Sequence, residues 1–279
     1  MNVQASIQAL FRFSPFIENS CQQDEGLLAW LEKSGRLQSV TDEASYRKLL
    51  SRRLKKVKND QQLSIALRQF RRQEMVRIAA RDLAGWGDYH STVAEVSALA
   101  DVCLSETLDL LYRWQCDEEG TPKGEQSGKP QRMIVVAMGK LGARELNFSS
   151  DIDLIFAYPE DGETRGRRPW ISNQEFFTNL GRRLIKAINS NTADGFVFRV
   201  DMRLRPFGEA GALTSSFDAM EDYYQLHGRS WERYAWIKGR VVAGEQIVGE
   251  ALMAMLRPFI YRRYFDYSAF ESLREMKLM

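Results

Sequence analysis

The chain has 279 residues, of which 44% are hydrophobic and 27% are charged, a composition that is ordinary for a globular protein able to bury a core. The net charge of +2 provides no overall field that would draw the chain to nucleic acid or to a membrane surface. Three cysteines without a C-x-x-C pair and only two histidines argue against a disulfide framework, a cysteine or histidine metal site and a Ser-His-Asp triad.

No apolar run approaches the roughly 20 residues that a membrane-spanning helix needs. Residues 1–17 lack the charged start, apolar stretch and small-residue cleavage site of a signal peptide. Together with the cysteine usage, these features predict a cytoplasmic protein in a reducing compartment, with neither nucleic acid nor a membrane as its partner.

Residues 1–116 are predicted to form an N-terminal helical region. The clearest evidence is an apolar stripe with the spacing of an amphipathic helix, made by Val93, Val96, Leu99, Ala100, Cys103, Leu104, Thr107, Leu108 and Leu111. Shorter patterns over residues 46–54, 63–70 and 75–79 predict further helices. The basic residues of this region, among them Arg68, Arg71 and Arg72, are expected on solvated helix faces.

A linker or long loop is predicted over residues 117–131. The segment is polar and contains Gly120, Pro122, Gly124, Gly128 and Pro130. Such a composition buries little apolar surface and interrupts regular structure, so we expect a boundary here.

The pattern changes after residue 131 and predicts an α+β core over residues 132–215. Short apolar runs predict strands at 133–137 and 151–158, with an amphipathic helix over 174–188. The alternation of residues 196–205 predicts the clearest strand of the chain.

Residues 216–279 are predicted to begin a C-terminal helical region. Helical patterns cover residues 217–226 and 231–241, and another covers 268–279 without a stop signal. Because the chain stops inside this pattern, we expect it to be a fragment of a longer protein.

Two aspartates open the second predicted strand. Side chains alternate across a strand, so Asp151 and Asp153 are expected on one face and the apolar Ile152 on the other. Carboxylates this close repel each other unless a cation lies between them, and oxygen ligands suit Mg²⁺. The pair alone is also compatible with a solvated strand end.

The later strand carries a third aspartate on a polar stripe with Arg199, Arg203 and Arg205. If it pairs beside residues 151–158, Asp201 joins the first two carboxylates, and three can hold two magnesium ions that clamp an in-line displacement. Arg203 and Arg205 would then face phosphate oxygens. A salt-bridged sheet face is the alternative interpretation of this stripe.

The residues before Asp151 favour the metal site. Gly139-Lys140-Leu141-Gly142 follows the first strand, and glycine permits a tight turn and a close approach of the backbone to phosphate. Strand, glycine turn and a strand opening with D-x-D is the layout of the polymerase-β-type nucleotidyltransferases. Their usual Gly-Ser turn is Gly139-Lys140 here, which leaves open whether Ser149 or Ser150 contacts the nucleotide phosphates.

Three motifs resemble one family closely. Residues 139–156 read GKLGARELNFSSDIDLIF and resemble the signature of the glutamine synthetase adenylyltransferases. Residues 200–209, VDMRLRPFGE, are similar to its second signature, and residues 231–235, WERYA, to a third stretch. The resemblance covers nearly the whole chain and implies a polymerase-β-like nucleotidyltransferase sheet with flanking helices.

The resemblance also implies an activity. Enzymes of this family carry two nucleotidyltransferase halves: the first removes AMP from a tyrosine of glutamine synthetase by phosphorolysis, releasing ADP, and the second attaches AMP using ATP. The motif NFSSDID and the triplet DMR resemble the first, deadenylylating half. By this resemblance Asp151, Asp153 and Asp201 are the catalytic, magnesium-binding residues. For the full-length family member it implies regulation by a PII-type signal protein and by glutamine.

The nucleotide and phosphate contacts are predicted at six positions, namely Gly139, Lys140, Ser149, Ser150, Arg203 and Arg205. Three alternatives stay open at this point. The chain could instead adenylylate glutamine synthetase with ATP, act on nucleic acid with the same superfold, or serve as a catalytically silent binding module. A nucleic-acid enzyme would show a basic, aromatic-lined groove, which the near-neutral charge disfavours.

Overall fold

The computed structural model describes residues 3–261 and residue 274, with the backbone alone for residues 3–6, and the described chain divides into two compact units. The first unit comprises Met1–Glu106, Arg144–Ser150 and Ala187–Arg199. The second comprises Thr107–Ala143, Asp151–Lys186 and the chain from Val200 onward. This division differs from the predicted boundaries at residues 116, 131 and 215, because two short segments of the predicted core pack with the N-terminal helices.

The first unit is helical, as predicted. Its helices, the last of which continues into the second unit, are α1 (Val3–Leu10), α2 (Pro15–Gln23), α3 (Leu27–Ser34), α4 (Glu43–Leu54), α5 (Asp60–Leu83) and α6 (Tyr89–Glu119). The side chains of Ser14, Asp42 and Asn59 cap the starts of α2, α4 and α5 by accepting from backbone amides. The patterns predicted at 63–70 and 75–79 belong to the single helix α5.

A buried ionic cluster lies inside the first unit. Arg77 donates from Nε to Glu74 Oε2 at 2.8 Å and from Nη2 to the Tyr46 hydroxyl at 2.7 Å, and it also pairs with Glu95. The side chains of Arg77 and Glu95 have no exposed surface. Buried charges of this kind are tolerated only when they are paired and hydrogen-bonded, which fixes α4, α5 and α6 in one arrangement.

The basic residues at 68–72 are not on a solvated face, so that prediction was wrong for this cluster. Arg68 is buried, and its guanidinium donates to the carbonyl oxygens of Ala187 at 3.1 Å and Gly195 at 2.7 Å. Arg72 pairs with Asp194 at 3.2 Å. The acceptors belong to the segment 187–199, which is more than 100 residues away from Arg68 in the sequence. The sequence around residue 68 therefore gives no indication of this contact.

The second unit combines helices and strands, which confirms the predicted α+β class. Its further elements are β1 (Thr121–Gly124), β2 (Ile134–Ala137), α7 (Gly139–Gly142), β3 (Ile152–Tyr158), β4 (Gly162–Arg165), α8 (Asn173–Asn189), β5 (Val200–Asp201), β6 (Thr214–Ser216), α9 (Phe217–Leu226), α10 (Ser230–Ile237), β7 (Arg240–Ala243) and α11 (Gln246–Ile260). None of the helices described is long and apolar enough to cross a membrane.

The main sheet has the order β5-β3-β2-β7, and β6 also pairs with β3. Strand β2 is antiparallel to both β3 and β7, whereas β5 and β6 run parallel to β3. Strand β5 pairs with the first residues of β3, and β6 pairs with its last residues. Strand β3 is therefore the central strand of the sheet.

Both faces of this sheet are covered. One face packs against α9, α10 and α11 through a cluster that includes Ile134, Ile155, Met220, Trp236 and Leu252. The other face meets α8, where Phe177 stacks on Tyr158 with ring centroids 4.8 Å apart. Such burial on both sides explains why β2 and β3 read as continuous apolar runs in the sequence.

Part of the segment 117–131 is regular structure, so the prediction of a linker was wrong there. Residues 121–124 form β1, which pairs antiparallel with β4, and Pro122 and Gly124 are buried. Proline is tolerated because β1 is one strand of a two-stranded ribbon, where part of the strand needs no ladder donor.

The C-terminal predictions were partly right. Helix α9 has the predicted bounds, but the helix predicted over 231–241 ends at Ile237, and the chain turns at Gly239 into β7. A Cβ on Gly239 would lie 2.8 Å from the Trp236 ring, so this close turn needs glycine. The helix predicted over 268–279 lies outside the described residues, apart from residue 274.

Candidate active site

The glycine turn predicted after the first strand is a single helical turn, α7, that begins directly after β2. Gly139 has φ +55°, a left-handed conformation that favours glycine. A Cβ on Gly139 would lie 2.8 Å from Asp153 Oδ2, so the turn brings backbone close to that carboxylate. Arg240 of β7 donates to the carbonyl oxygens of Leu141 and Gly142, which holds the end of the turn.

Two of the three predicted carboxylates stand side by side. Strands β3 and β5 pair in parallel with Asp153 opposite Asp201, as the sequence predicted for neighbouring strands. Neighbouring strands are about 4.8 Å apart, and residues in register point to the same face of the sheet, so the two carboxylates are adjacent. Asp151 is exposed and lies one residue before β3.

The electrostatics of the two aspartates differ. Burial raises the pKa of the half-buried Asp153, and the charges of Asp201 and Asp151 raise it further. Hydrogen bonds from Arg203 lower the pKa of Asp201. The pair therefore keeps one carboxylate stabilised by an arginine and leaves the other disfavoured as an anion, a state that a cation would relieve.

Arg203 covers the Asp201 carboxylate. Its Nε lies 2.8 Å and its Nη2 2.5 Å from Oδ2, and its backbone amide donates to Oδ1 at 2.8 Å. Among the described residues, no group of three or more His, Cys, Asp or Glu side chains is gathered to hold a metal ion. The donor chemistry nevertheless fits a hard divalent cation, because the three groups are carboxylates and two of them adjoin in register.

The strand predicted over 196–205 is only two residues long, so the predicted alternation was wrong. The amides of Val197 and Phe198 donate to the Ile188 carbonyl, and both side chains are buried rather than alternating. After Asp201 the chain turns, with the Asp201 side chain accepting from the amide two residues on. Arg203 therefore reaches Asp201 through this turn and not along a strand face.

Arg205 bonds the backbone of its own loop, and its predicted phosphate contact stays a prediction. Its Nη1 donates to the Met202 carbonyl at 2.7 Å and its Nη2 to the Glu209 carbonyl at 3.2 Å. These bonds close the loop after β5, so the structure gives Arg205 a role in shaping this loop.

The remaining predicted contacts lie at different places. Lys140 is exposed on α7 in the second unit. Ser149 and Ser150 belong to the first unit, where the Ser150 hydroxyl bonds Asn147 Oδ1 at 2.6 Å and the Ser149 carbonyl accepts from Arg199. Which of these residues contacts a nucleotide stays a prediction.

A cavity of about 400 Å³ opens beside Arg203 in the second unit. Sequence reasoning missed most of its lining, which consists of Arg203, Arg205, Phe207, Gly208, Tyr223, His227, Arg229, Trp231 and Glu232. Phe207 has φ +60°, an unusual conformation for a bulky residue, and its ring lies 4.5 Å from that of Tyr223. His227 directly follows the last residue of α9.

The signal for this cavity was present in the sequence. Its residues come from the second and third motifs, RLRPFG and WERYA, together with α9 between them. Glu232 binds the two sides together, because it accepts from the Tyr223 hydroxyl at 2.8 Å and from the Arg229 amide at 2.8 Å. The cavity thus combines three arginines with aromatic walls, which suits an anionic ligand that has a flat group.

Comparison with known proteins agrees with the three motifs. Residues 4–255 match the family described as glutamate-ammonia ligase adenylyltransferase. The chain is 54% identical over 266 residues to a protein of Nitrosococcus oceani, covering 95% of this chain and 28% of that protein. It is 52% identical over 264 residues to one of Pseudomonas aeruginosa, covering 95% and 27%.

A protein of Psychromonas ingrahamii is 54% identical over 224 residues, which cover 80% of this chain and 24% of that protein. All three relatives are named bifunctional glutamine synthetase adenylyltransferase/adenylyl-removing enzyme. The chain spans between 24% and 28% of the length of these three relatives. Since the match covers most of its residues, the chain belongs to the glutamate-ammonia ligase adenylyltransferase family.

Proposed function

We propose that this chain is the deadenylylating part of a nucleotidyltransferase that removes AMP from adenylylated glutamine synthetase by magnesium-dependent phosphorolysis. Phosphate attacks the phosphorus of the AMP–tyrosine diester, the bond from phosphorus to the tyrosine oxygen breaks, and the products are ADP and unmodified glutamine synthetase. The observation that carries the proposal is the register of β3 and β5, which sets Asp153 beside Asp201 at the Gly139 turn.

The relatives' names contain both activities, so the direction of the reaction rests on the motifs. The stretch 147–153, NFSSDID, and the triplet DMR at 201–203 resemble the deadenylylating half of the family more than the adenylylating half. Transfer of AMP from ATP to glutamine synthetase is the alternative, and the same carboxylates would serve it.

In this proposal Asp151, Asp153 and Asp201 hold magnesium. When bound, the ion supplies positive charge that offsets the charge on the transferring phosphoryl group. Arg203 gives up Asp201 and binds the phosphoryl oxygens, for which its planar fork is suited. The cavity beside Arg203 supplies Arg229 as a further cation and aromatic rings for a flat group of the substrate.

The test follows ADP release from adenylylated glutamine synthetase in the presence of phosphate and magnesium. We expect phosphate-dependent ADP from this chain and a loss of about 100-fold or more in Asp153→Asn, which keeps the shape but removes a charge at the reacting group. Asp222→Asn is the matched control, because Asp222 is an exposed carboxylate on α9. Equal activity in Asp153→Asn and the unmutated chain would contradict the assignment of the site.

A second arm distinguishes the two directions. The chain is incubated with unmodified glutamine synthetase and ATP, and attachment of AMP to the protein is measured. AMP attachment without phosphorolysis would replace the proposed direction by the alternative. If neither reaction occurs, the same assays on a chain of the relatives' full length decide, and silence there would reject the deadenylylating assignment.

A further inference from the structure

A second cavity, of about 370 Å³, lies within the first unit and has no part in the proposed reaction. Its floor follows helix α5, where Arg71, Met75 and Ala79 recur at every fourth residue and therefore share one face. Phe16 from α2 and Phe148 from the segment 144–150 form its walls. The volume is within the range of small-molecule sites, and the lining is mostly apolar.

The one cation in this lining is Arg71, and it is unusually placed. Its guanidinium carbon lies 5.8 Å from the centroid of the Phe16 ring and 5.3 Å from that of Phe196. Its Nε is buried and has no hydrogen-bond partner among the described residues. Because the ring contacts occupy the face of the guanidinium, its edge, where its donors lie, is the direction for a partner.

The neighbouring arginines of α5 are satisfied, which sets Arg71 apart. Arg72 pairs with Asp194, and Arg68 donates to backbone carbonyl oxygens. Burial lowers the pKa of Arg71 to about 10, so the group is still a cation at neutral pH. The adjacent buried Cys103 cannot neutralise it, because burial raises the pKa of that thiol to about 12.

The carboxylate of Asp82 also belongs to the lining, but at the far end. Asp82 follows Arg71 by eleven residues on α5, which corresponds to about 16 Å along a helix. It accepts the Thr92 hydroxyl at 2.8 Å, which gives this carboxylate a partner of its own. The cavity thus carries an unneutralised cation at one end, an apolar floor and a negative group at the other end.

We propose that this cavity binds a small organic monocarboxylate, whose carboxylate pairs with the edge of Arg71 and whose apolar body lies over Met75 and Ala79. A partly buried cation without an anion is costly, and a carboxylate supplies an acceptor for the buried Nε of Arg71. A single negative charge fits because Arg71 is the only cation in the lining and Asp82 opposes a second charge.

The test uses phenylacetate as the carboxylate and phenylacetamide as its uncharged counterpart. The side-chain Nε–H signals of the arginines of the whole chain are followed by ¹H–¹⁵N NMR, and the Arg71 signal is assigned by its disappearance in Arg71→Met. We expect phenylacetate to shift this signal saturably in the millimolar range and phenylacetamide to leave it in place. Equal shifts with both compounds, or no saturable shift with phenylacetate, would overturn the proposal.

The variants make the test specific. Affinity for phenylacetate, measured by calorimetry, should fall at least about tenfold in Arg71→Met, because a charge-assisted hydrogen bond is lost. Arg52→Met, at an exposed arginine of α4, should keep the affinity of the unmutated chain. Inorganic phosphate serves as a competitor, and displacement of phenylacetate by equimolar phosphate would reject a carboxylate site in favour of a general anion site.

A stability readout separates binding from a structural role of Arg71. Without ligand, Arg71→Met should melt at the same or a higher temperature, because it replaces a partly buried, uncompensated cation by an apolar side chain of similar length. A markedly lower melting temperature would show that Arg71 is retained for its packing between the two rings, and the proposal would fail. Arg71→Lys, which keeps the charge without the fork, should bind phenylacetate more weakly than the unmutated chain.

Discussion

Asp153 is an aspartate whose negative charge is disfavoured by its surroundings in the folded protein. Its neighbour Asp201 is compensated by Arg203, whereas Asp153 is half-buried beside both other aspartates, and its pKa is raised. Because the folded protein binds the Asp153 proton more tightly than the unfolded chain does, folding loses free energy as the pH rises from the ordinary value of 3.8 through the raised pKa. Above that window the whole penalty is present.

This penalty gives a prediction for the chain without divalent ions. In the presence of a chelator at pH 7, Asp153→Asn should raise the melting temperature by roughly 1 to 4 °C, because the amide cannot ionise. The gain should shrink as the pH is lowered through the raised pKa of Asp153 toward 3.8, because protonation removes the unfavourable charge from the folded protein. Differential scanning calorimetry at the two pH values measures it.

Added magnesium should reverse the order of the two proteins at pH 7, since only the unmutated chain keeps all three carboxylates. A variant that is less stable than the unmutated chain in chelator, with the same difference at both pH values, would show that Asp153 is not destabilised by its neighbours.

At this scale the sequence predicted the three candidate carboxylates better than the contacts that surround them. The three aspartates could be named because D-x-D and the later aspartate occur in long motifs. The covering of Asp201 by Arg203 could not, because it depends on a turn that replaces the predicted strand. The contacts of Arg68 with Gly195 and of Arg71 with the rings of Phe16 and Phe196 were likewise hidden, since these residues lie more than 50 positions away in the chain.

At the scale of elements, the short turn α7 packs so closely against neighbouring backbone that residue 142 has no room for a side chain. A Cβ on Gly142 would lie 1.9 Å from the Lys238 carbonyl oxygen and 2.7 Å from that of Ala137. Both are backbone atoms, so neither can move aside by changing a rotamer. Only glycine at residue 142 therefore allows α7, which lies next to the candidate site, to pack this closely against the residues that precede β7.

We expect Gly142→Ala to lower the melting temperature by roughly 5 °C or more, because overpacking against backbone must displace α7 or β7. Gly26→Ala is the matched control: Gly26 precedes α3, and its new Cβ would lie 3.3 Å from a flexible aspartate side chain. Thermal unfolding followed by circular dichroism compares the two. Equal changes would mean that the chain around α7 yields easily and that Gly142 does not fix it.

Periodicity predicted correctly those helices and strands that pack one face or both faces against a hydrophobic core. The runs at 133–137 and 151–158 and the helices at 93–111, 174–188 and 217–226 are all confirmed. The failures share a cause, since residues 121–124 and 196–205 owe their conformation to partners elsewhere. Residues 121–124 become a strand by pairing with 162–165, and 197–198 are tied to the end of α8 instead of forming a long strand.

At the scale of the whole molecule, neither unit is one continuous piece of chain. The first unit takes residues 144–150 and 187–199 from the sequence that otherwise builds the second. The amide of Leu146 donates to the Ser97 hydroxyl at 3.0 Å, and the carbonyl oxygens that receive Arg68 lie at Ala187, Ser190 and Gly195. The helical unit is therefore incomplete without residues that follow Glu106 by 38 positions or more.

A shortened chain that ends at residue 131 should accordingly fail to unfold cooperatively. Removing the later segments takes away the carbonyl acceptors of Arg68 at Ala187, Ser190 and Gly195 and leaves only its bonds to Ser64, a loss of several kcal/mol in a structure of marginal stability. Hydrogen exchange of the α5 amides is the measurement, and we expect protection in the whole chain and little in the shortened one. Strong, uniform protection of α5 in the shortened chain would contradict this view of the first unit.

The interleaved path has a consequence for the protein during its synthesis. At roughly 5–20 residues per second, the ribosome needs on the order of 5 to 20 seconds to make the stretch of about 90 residues that separates Glu106 from Arg199. During that delay the nascent helices expose apolar surface and Arg68, which the segments 144–150 and 187–199 cover only later. Vectorial folding from the N-terminus therefore stalls at this unit, and chaperone engagement should peak before residue 199 has left the exit tunnel.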